Sequence, residues 1–269
     1  MIKPKLQSVS TRLRLGGLTP LTSVDYPGEL AAVIYCQGCP WRCPYCHNGH
    51  LLDAAPEAEA ESEGEGEGEG ASEEIGQDAI TWSEVLELLR TRRGLLDAVV
   101  FSGGEPTAQS ALADAMAEVK ALGFKVGLHT GGPYPQRLRA LLPLLDWVGL
   151  DIKALPEDYP QVTGVPGSGE QAWQSLALLL DAKVSLEVRT TPMPGLDDDA
   201  YLSRLMHKLA EAGVTHYALQ QAQSAHLLEP ALRHQLRHFS KHALSNAAGL
   251  EDPEGGLPNP FPHFELRAA

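Results

Sequence analysis

Six short apolar segments alternate with helical patterns along this chain of 269 residues. Each segment is rich in Val, Ile, Leu or aromatic residues and ends at Gly, Thr, Pro or a polar residue, as β-strands do. Such alternation is typical of an α/β fold, in which a parallel sheet is connected by helices. Six units rather than eight favour a partial (β/α)6 barrel with outer helices over a closed one. The predicted strands are residues 30–36, 98–101, 125–129, 147–151, 184–190 and 216–219.

Helices are predicted between and after these strands. Residues 81–93 begin with Thr81 three positions before Glu84, a capping-box arrangement that marks a helix N-terminus. In parallel βα architectures function gathers at the carboxyl ends of the strands, so we expect the site there. Apolar residues on one side of a helical period predict the other helices, at residues 111–122, 135–145, 171–181, 200–212 and 231–244.

One acidic segment dominates the formal net charge of −14. Residues 57–74 contain nine acidic residues and no Lys or Arg. Residues 54–77 show no apolar periodicity, so we expect a disordered insertion within a single domain that spans residues 1–269. It is either a tolerated solvated loop or a partner-binding lid. Residues 245–269 are expected to form an irregular tail, because residues 255–262 are rich in Pro and Gly.

The composition also bears on partners and location. A pI near 5.1 argues against a nucleic-acid surface and against an anionic membrane surface. No apolar run approaches the ~20 residues of a transmembrane helix, and no apolar segment follows the basic N-terminal residues as in a signal peptide. We therefore expect a cytoplasmic protein without nucleic-acid or membrane partners.

All four cysteines lie close together, between Cys36 and Cys46. In a reducing compartment such a cluster favours a metal site over disulfides. Cys39, Cys43 and Cys46 place three thiolates on one loop, which can bind three irons of a cubane cluster and leave the fourth iron open. Cys36 ends the first predicted strand and is either a fourth ligand or a small core residue. A zinc site with all four thiolates is the alternative.

This three-cysteine spacing, with Tyr45 before the last Cys, resembles the radical S-adenosylmethionine (SAM) superfamily. The Val-Asp-Tyr-Pro-Gly segment at residues 24–28, the Gln-Gly before Cys39 and the His-Asn after Cys46 resemble the activating enzymes of glycyl-radical enzymes. Among these, the resemblance is strongest to the activating proteins of anaerobic ribonucleoside-triphosphate reductase. It extends from about residue 22 to about residue 221, interrupted by the acidic insertion.

The resemblance implies a radical SAM oxidoreductase. Cys39, Cys43 and Cys46 would bind a [4Fe-4S] cluster, and SAM would bind the open iron. One electron from an external donor, such as flavodoxin or ferredoxin, would cleave SAM reductively. The resulting radical would then generate a glycyl radical on a partner enzyme, anaerobic ribonucleoside-triphosphate reductase.

The ends of the second and fourth predicted strands carry candidate cofactor-binding residues. Gly103 and Gly104 allow close backbone approach, and Glu105 beside them can accept from an ammonium group. This segment resembles the one that holds the amino group of SAM in the superfamily. Asp151 and Lys153 lie on the same face by alternation. The resemblance implies contacts with the carboxylate or sugar of SAM, and a structural ion pair is the alternative.

The remaining candidates lie at other strand ends and before the first strand. Arg189 on the fifth strand needs an anionic partner, either the cofactor or a carboxylate, Glu187 or Asp151. Tyr45 is expected to stack near the adenine of SAM. By resemblance, Asp25 lies where the partner's glycyl loop docks, and a turn-forming Asp is the alternative. Gln220 and Gln221 end the last predicted strand and are secondary candidates for lining the site.

His129 is a departure from the pattern of the relatives. They usually have Asp at this position, and in some activating enzymes that Asp helps to bind a monovalent cation beside SAM. A neutral His cannot supply the same charge, so no cation site is expected here. His129 either donates a hydrogen bond to SAM or simply ends the strand as a polar residue.

Two other functions are compatible with parts of the pattern. One is a radical SAM enzyme that acts on a small molecule, such as a deazapurine synthase. The other is a ferredoxin-like electron carrier or a zinc-bound interaction domain. Neither member of that second class needs Gly-Gly-Glu, Asp-x-Lys and Arg on successive strand ends.

Overall fold

The computed structural model describes residues 13–53, 80–193, 195–222, 227–232 and 259–267. Within these ranges eight strands form one sheet in the order β1 to β8. The strands are β1 Leu15–Thr22, β2 Ala31–Cys36, β3 Ala98–Gly103, β4 Lys125–Thr130, β5 Trp147–Asp151, β6 Ser185–Thr190, β7 His216–Gln220 and β8 His263–Arg267. The helices are α1 Trp82–Thr91, α2 Leu112–Ala121, α3 Pro135–Leu141, α4 Tyr159–Thr163, α5 Ser168–Ala182 and α6 Asp199–Glu211.

The α/β prediction is confirmed, and each of the six predicted strands is present. β1 pairs with β2 in the antiparallel direction, and every later pair of neighbours is parallel. The two outermost strands of the described sheet, β1 and β8, are edges, so the sheet is open as expected for a partial barrel.

The helices follow the sequence prediction with small differences. Thr81 caps α1 in the predicted capping box with Glu84. The helix predicted at residues 135–145 ends at Leu141 and continues as a short 3-10 turn around Pro143, which has no N–H for an α-helical hydrogen bond. The acidic insertion at residues 54–77 lies outside the described residues, as does the helix predicted at 231–244 apart from its first two residues. In the described ranges, no helix has the length and apolarity needed to cross a membrane.

The alternation of strand side chains separates two cores. On one face Ala32, Ile34 and Cys36 pack with the buried sides of the helices. On the other face, here called the inner face, the core contains Val33 and Trp147 together with Tyr26 from the β1–β2 connection. By the same alternation the inner face becomes polar toward the carboxyl ends of the strands, with Ser102, His129, Asp151 and Arg189.

The C-terminal strand β8 was missed by the sequence analysis. The prediction of an irregular tail at residues 245–269 is wrong for His263–Arg267, which pairs with β7. The Pro- and Gly-rich composition describes the preceding segment and carries no information about this strand. Arg267 donates two hydrogen bonds to Glu187 on β6, at 2.7 and 2.8 Å, and thereby ties β8 to the inner face.

Substitution of Arg267 tests the contribution of β8. The Glu187 side chain is only 12% exposed, so Arg267→Met leaves a largely buried carboxylate without its partner. We expect a loss of about 2 kcal/mol in the free energy of unfolding, measured by urea denaturation. Glu265→Gln, at a side chain 60% exposed, is the control and should change stability by no more than about 0.5 kcal/mol. Equal losses in both variants would show that the Glu187 pair is not the cause.

Candidate active site

The cysteine loop, residues 37–53, follows β2 and is closed by its own backbone. Gly38 N–H donates to the Leu51 carbonyl at 2.7 Å, and Cys39 N–H donates to the Leu52 carbonyl at 2.9 Å. Cys46 N–H donates to the Cys43 carbonyl at 2.9 Å. These bonds hold the three cysteines of the motif on one compact turn of the chain.

Arg42 stabilises this turn from its solvent side. It was not among the residues predicted from the sequence. Its Nη1 donates to the carbonyl oxygens of Cys39 and Trp41, at 2.7 and 3.0 Å. Its Nη2 forms an ion pair with Asp53 at 3.0 Å, so both ends of the loop are joined. Because backbone carbonyls in an irregular loop need donors, Arg42 stabilises the conformation that presents the thiols.

Two glycines allow the cysteine loop to lie directly against the strand ends. A Cβ at Gly104, after β3, would lie 2.4 Å from the Gly38 carbonyl oxygen. A Cβ at Gly131, after β4, would lie 2.3 Å from the Trp41 ring. Real side chains do not fit at such distances, so these glycines are required for the close contact. The contact brings the cysteines to the carboxyl ends of the parallel strands, as predicted.

The four thiols are all free, and they divide into two groups. Cys36 is fully buried in the core beside the helices. Its electrostatic neighbours are Glu105 and Arg14, and burial raises the pKa of its thiol. Cys39 and Cys46, which are partly buried, have Cys43 as their shared neighbour. Cys36, on β2, is the most deeply buried of the four cysteines, and it shares one core cluster with Cys43.

Burial acts on the motif thiols as well. It raises the pKa of Cys39 to about 12, with Glu105 adding to the effect. It also raises the pKa of Cys43, while the Lys153 ammonium group opposes this and Cys46 adds to it. Thiols that are costly to ionise alone become good ligands when a cationic metal centre stabilises their thiolates.

Glu105 lies at the junction of the β3 and β4 ends and is 2% exposed. Its Oε1 accepts from Thr107 N, Thr107 Oγ1 and Thr130 Oγ1, at 3.0, 2.5 and 2.7 Å. Its Oε2 accepts from Gly131 N at 2.9 Å. Burial raises the pKa of Glu105, and these donors work against that rise. The carboxylate thus ties two strand ends together, and only Oε2 retains capacity for the ammonium contact predicted from the sequence.

Gly103 turns the chain at the end of β3. Its φ is +116°, a conformation that strongly favours glycine. A Cβ there would also lie 2.4 Å from the backbone nitrogen of Cys36. The predicted Gly-Gly-Glu segment is therefore a backbone turn pressed against the cysteine loop.

Asp151 and Lys153 meet Arg189 at the ends of β5 and β6. Asp151 Oδ1 accepts from Arg189 Nε at 2.9 Å, and Oδ2 accepts from Lys153 Nζ at 3.4 Å. Burial acts to raise the pKa of Asp151, but the charges of Arg189 and Lys153 outweigh it and hold the pKa well below its ordinary value. The sequence offered Glu187 and Asp151 as carboxylate partners of Arg189. In the structure Arg189 pairs with Asp151, and Glu187 pairs with Arg267.

Lys153 lies beside the cysteine loop. Its Nζ is 5.8 Å from the centre of the Tyr45 ring, and its backbone N–H donates to the Tyr159 hydroxyl at 2.9 Å. Burial acts to lower the pKa of Lys153, but the acidic groups around it, including Asp151 and Cys43, hold it well above its ordinary value. A permanent ammonium group therefore lies next to the motif cysteines.

Tyr45 and Asp197 carry buried polar atoms without a hydrogen-bond partner in the described structure. These atoms are the Tyr45 hydroxyl and Asp197 Oδ1. Burial raises the pKa of Asp197 to about 7, and the neighbouring Asp158 and Asp198 add to the rise. Asp197, which was not among the residues predicted from the sequence, acts electrostatically on Tyr45. Buried groups of this kind call for a ligand or water.

His129 faces the β1–β2 connection. Its Nε2 donates to the Asp25 carbonyl at 2.8 Å, and its Nδ1 lies 3.4 Å from Ser102 Oγ. Burial and the charge of Arg189 lower the pKa of His129 from 6.5 to about 3, so the imidazole is neutral. Both ring nitrogens have partners within the chain, and the ring holds the loop that contains Asp25.

The other predicted residues lie at the edges of this arrangement. Asp25 Oδ2 accepts from Thr22 Oγ1 at 2.6 Å. Gln220 at the end of β7 donates to Thr191 Oγ1 at 2.9 Å, and Gln221 N–H donates to the Arg267 carbonyl at 2.8 Å. The two glutamines are therefore engaged in joining β6, β7 and β8.

The donor set at this site fits a cubane iron–sulfur cluster. Three thiols lie on one loop, and the fourth cysteine, Cys36, ends β2 just before that loop. Among the described residues, no three His, Cys, Asp or Glu side chains converge on one metal position. A cubane accepts one thiolate at each of three irons, so its ligands surround a larger volume than those of a single ion. The Tyr45 hydroxyl is buried without a hydrogen-bond partner, and the Lys153 ammonium group lies over the Tyr45 ring.

Comparison with protein families agrees with this geometry. The radical SAM superfamily matches residues 33–205, which is more than half of the chain. This chain belongs to the radical SAM superfamily. Enzymes of the superfamily use a [4Fe-4S] cluster and SAM, as predicted from the cysteine motif.

Sequence relatives of this chain indicate a more specific enzyme class within the superfamily. A Methanocaldococcus jannaschii protein, named provisionally as a glycyl-radical enzyme activating enzyme, is 29% identical over 217 residues, covering 77% of this chain and 79% of the relative. A pyruvate formate-lyase-activating enzyme of Clostridium pasteurianum is 28% identical over 192 residues, covering 69% and 71%. A 7-carboxy-7-deazaguanine synthase of Thermococcus kodakarensis is 32% identical over 118 residues, covering 43% and 46%. The predicted class, a radical SAM enzyme of the activating-enzyme type, is thereby supported.

Solved structures share the fold. SuiB of Streptococcus suis bound to its precursor peptide SuiA superposes with a TM-score of 0.57 at 13% identity, covering 87% of this chain and 48% of SuiB. SuiB is also known bound to SAM, with a TM-score of 0.55 at 12% identity, covering 88% of this chain and 49% of SuiB. A radical SAM methyltransferase of Sphaerobacter thermophilus gives 0.55 at 15% identity, covering 93% and 68%. At these identities the likeness supports the fold alone.

The neutral His129 generates a prediction about pH. In the unfolded chain His129 is protonated below about pH 6.5, whereas in the folded chain it stays neutral down to about pH 3. Protonation therefore favours the unfolded state, and the free energy of unfolding falls as the pH drops through this window. Since His129 is partly exposed, we expect it to contribute a loss of about 1 kcal/mol between pH 7.5 and pH 5.5. His129→Gln keeps a donor for the Asp25 carbonyl and should remove this part of the pH dependence.

Urea denaturation at the two pH values measures the effect. His207→Gln, at an exposed position on α6, is the control and should retain the wild-type dependence on pH. A wild-type slope in the His129→Gln variant would mean that His129 is protonated in the folded protein.

Proposed function

We propose that this chain activates a glycyl-radical enzyme, anaerobic ribonucleoside-triphosphate reductase. The observation that carries the proposal is the position of the cysteine loop, directly against strand ends that supply Lys153, Asp151 and Gly104. A site for SAM beside a cluster needs this combination of thiolates, fixed charge and accessible backbone. The two activating-enzyme relatives, each matched over more than two thirds of its length, support the choice of partner class.

When bound, the cluster and SAM supply one-electron chemistry, with an electron from a flavodoxin- or ferredoxin-like donor, that leads to removal of a hydrogen atom from a glycine. The residues of this chain bind and orient the reactants. Cys39, Cys43 and Cys46 hold the cluster, and Cys36 packs in the core. The Lys153 ammonium group binds the SAM carboxylate, since a buried cation beside the cysteines is complementary to an anion.

Other residues complete the cofactor pocket. The carbonyl groups and turn at Gly103 and Gly104 receive the SAM amino group, and Glu105 holds this turn in place through its donors on β4. Tyr45 contacts the adenosyl part, where its hydroxyl gains the partner that it lacks within the chain. Fixed groups of this kind exclude water from the reacting centre and keep it in one geometry.

The β1–β2 connection is the proposed docking surface for the glycyl-radical enzyme. Val24 in this connection is 76% exposed, and Leu21, near the end of β1 just before it, is 59% exposed. Exposed apolar groups that lie close together mark protein interaction surfaces. The Asp25 backbone is held by His129 on the inner face, so partner contact at this loop lies next to the cofactor pocket.

The cysteine assignment predicts a specific pattern of iron loss. Cys39→Ala, Cys43→Ala and Cys46→Ala should each abolish the brown [4Fe-4S] absorbance after anaerobic reconstitution, because each removes one of three ligands. Cys36→Ala should retain the cluster, since its thiol packs in the core. Iron content and visible absorbance are the measurements. Loss of the cluster in Cys36→Ala would instead indicate four thiolate ligands.

The activity itself is tested by anaerobic incubation with SAM and a reductant, alone and with candidate partners. We expect methionine formation, and a glycine-centred EPR doublet when anaerobic ribonucleoside-triphosphate reductase is present. A doublet only with another glycyl-radical enzyme would change the partner and keep the class. Turnover of a small molecule such as a deazapurine precursor, without any partner protein, would favour the function of the Thermococcus kodakarensis relative.

Val24→Lys tests the docking surface. It places a charge in the exposed apolar loop and should reduce the EPR doublet about tenfold or more, as for loss of an interface hot spot. Methionine formation without partner reports whether the cofactor pocket is intact. Leu95→Lys, at an apolar side chain 62% exposed before β3, is the matched control and should leave the doublet unchanged.

A further inference from the structure

Asp151 lies between two cations that hold it unequally. β5 and β6 place Asp151 directly beside Arg189 in register, and Arg189 Nε donates to Asp151 Oδ1 at 2.9 Å. Lys153 Nζ lies 3.4 Å from the other oxygen, at the limit of a hydrogen bond. The guanidinium group is thus the principal partner of this carboxylate.

The backbone of β5 is shaped for this guanidinium group. A Cβ at Gly149 would lie 2.9 Å from Arg189 Cζ, so a larger residue there would displace the guanidinium group from this position. Arg189 Nη2 also lies 3.4 Å from the Gly149 carbonyl oxygen. The Arg189 side chain is 9% exposed and the Asp151 side chain is 30% exposed. The guanidinium group therefore lies more deeply than the carboxylate.

Lys153 faces a different environment. Its backbone is fixed by the Tyr159 hydroxyl and its ammonium group lies over the Tyr45 ring, next to Cys43. An ammonium group on a flexible stem will approach a nearby carboxylate closely if nothing else neutralises that carboxylate. In the structure Arg189 is the closer of the two partners of Asp151, and Lys153 lies at the longer distance, between Asp151 and the Tyr45 ring.

We propose that Arg189 is a positioning residue: it acts as the fixed counter-ion of Asp151, and by holding that carboxylate it keeps the Lys153 contact with Asp151 long and weak, so that the Lys153 ammonium group can bind the carboxylate of SAM. This inference rests on the proposed function, in which Lys153 binds SAM. It replaces the direct contact between Arg189 and the cofactor that the sequence suggested. Arg189 then influences SAM binding only through Asp151 and Lys153.

The test compares SAM affinities by calorimetry on anaerobically reconstituted protein. Arg189→Met should weaken SAM binding about tenfold or more, the size of one charged hydrogen bond, because Asp151 then captures Lys153. Adding Asp151→Asn to that variant should restore affinity at least about fivefold, because the capturing charge is gone. Adding Lys153→Met to Arg189→Met should cost less than Lys153→Met costs in the wild type, since Lys153 is already withdrawn.

Controls separate positioning from folding and from the proposed function. Arg267→Met removes the arginine partner of a different carboxylate, Glu187. This variant should leave SAM affinity within about twofold of wild type. If Arg189→Met does not fold, Arg189→Gln retains a donor for Asp151 and should bind SAM more weakly than wild type, with the same recovery on Asp151→Asn.

Two results would overturn the inference. Unchanged SAM affinity in Arg189→Met and Arg189→Gln would show that Asp151 needs no counter-ion. Loss of affinity without recovery in the Asp151→Asn double variants would assign Arg189 a direct contact with SAM. Failure of the wild-type protein to bind SAM would instead contradict the proposed function.

Discussion

The close contact between the cysteine loop and the ends of β3 and β4 is the constraint on which the rest of the site depends. Gly104 meets the Gly38 carbonyl, and Gly131 meets the Trp41 ring, at distances that exclude any side chain. Glu105 joins the same two strand ends through buried hydrogen bonds. Because the cysteine loop directly contacts these strand ends, the thiols have a defined position relative to the sheet. A looser contact would leave the three motif thiols without a defined position relative to the strand ends.

The second determinant is the separation of charge along the inner face. Toward the strand ends, Asp151 on β5 and Arg189 on β6 form one ion pair. Glu187 on β6 and Arg267 on β8 form a second pair. His129 remains neutral between the first pair and the β1–β2 connection. Lys153, at a longer distance from Asp151 than Arg189, is a cation beside Cys43 and Tyr45. The electrostatics of the pocket are therefore set by pairing across strands rather than by the number of charged residues.

Local sequence patterns predicted much of this arrangement. The six central strands, the capping box at Thr81 and the position of the cysteines after the first parallel strand follow from apolar periodicity and short motifs. β8 was missed because its five residues follow a Pro- and Gly-rich segment, and its pairing with β7 depends on packing such as the stacking of Phe261 on Tyr217. Asp197 was missed because burial, and not residue type, gives it an unusual pKa.

The sequence by itself determined the fold class and the superfamily, since periodicity and the spacing of Cys39, Cys43 and Cys46 are properties of the linear chain. Only the tertiary structure decided which carboxylate pairs with which cation. Arg189 had two candidate partners in sequence, Glu187 and Asp151. Arg189 pairs with Asp151 because β5 and β6 place the two residues side by side and Gly149 leaves space for the guanidinium group. Glu187 is bound by Arg267 from β8. Such pairings join residues far apart in the chain, so they exist only once the strands have come together.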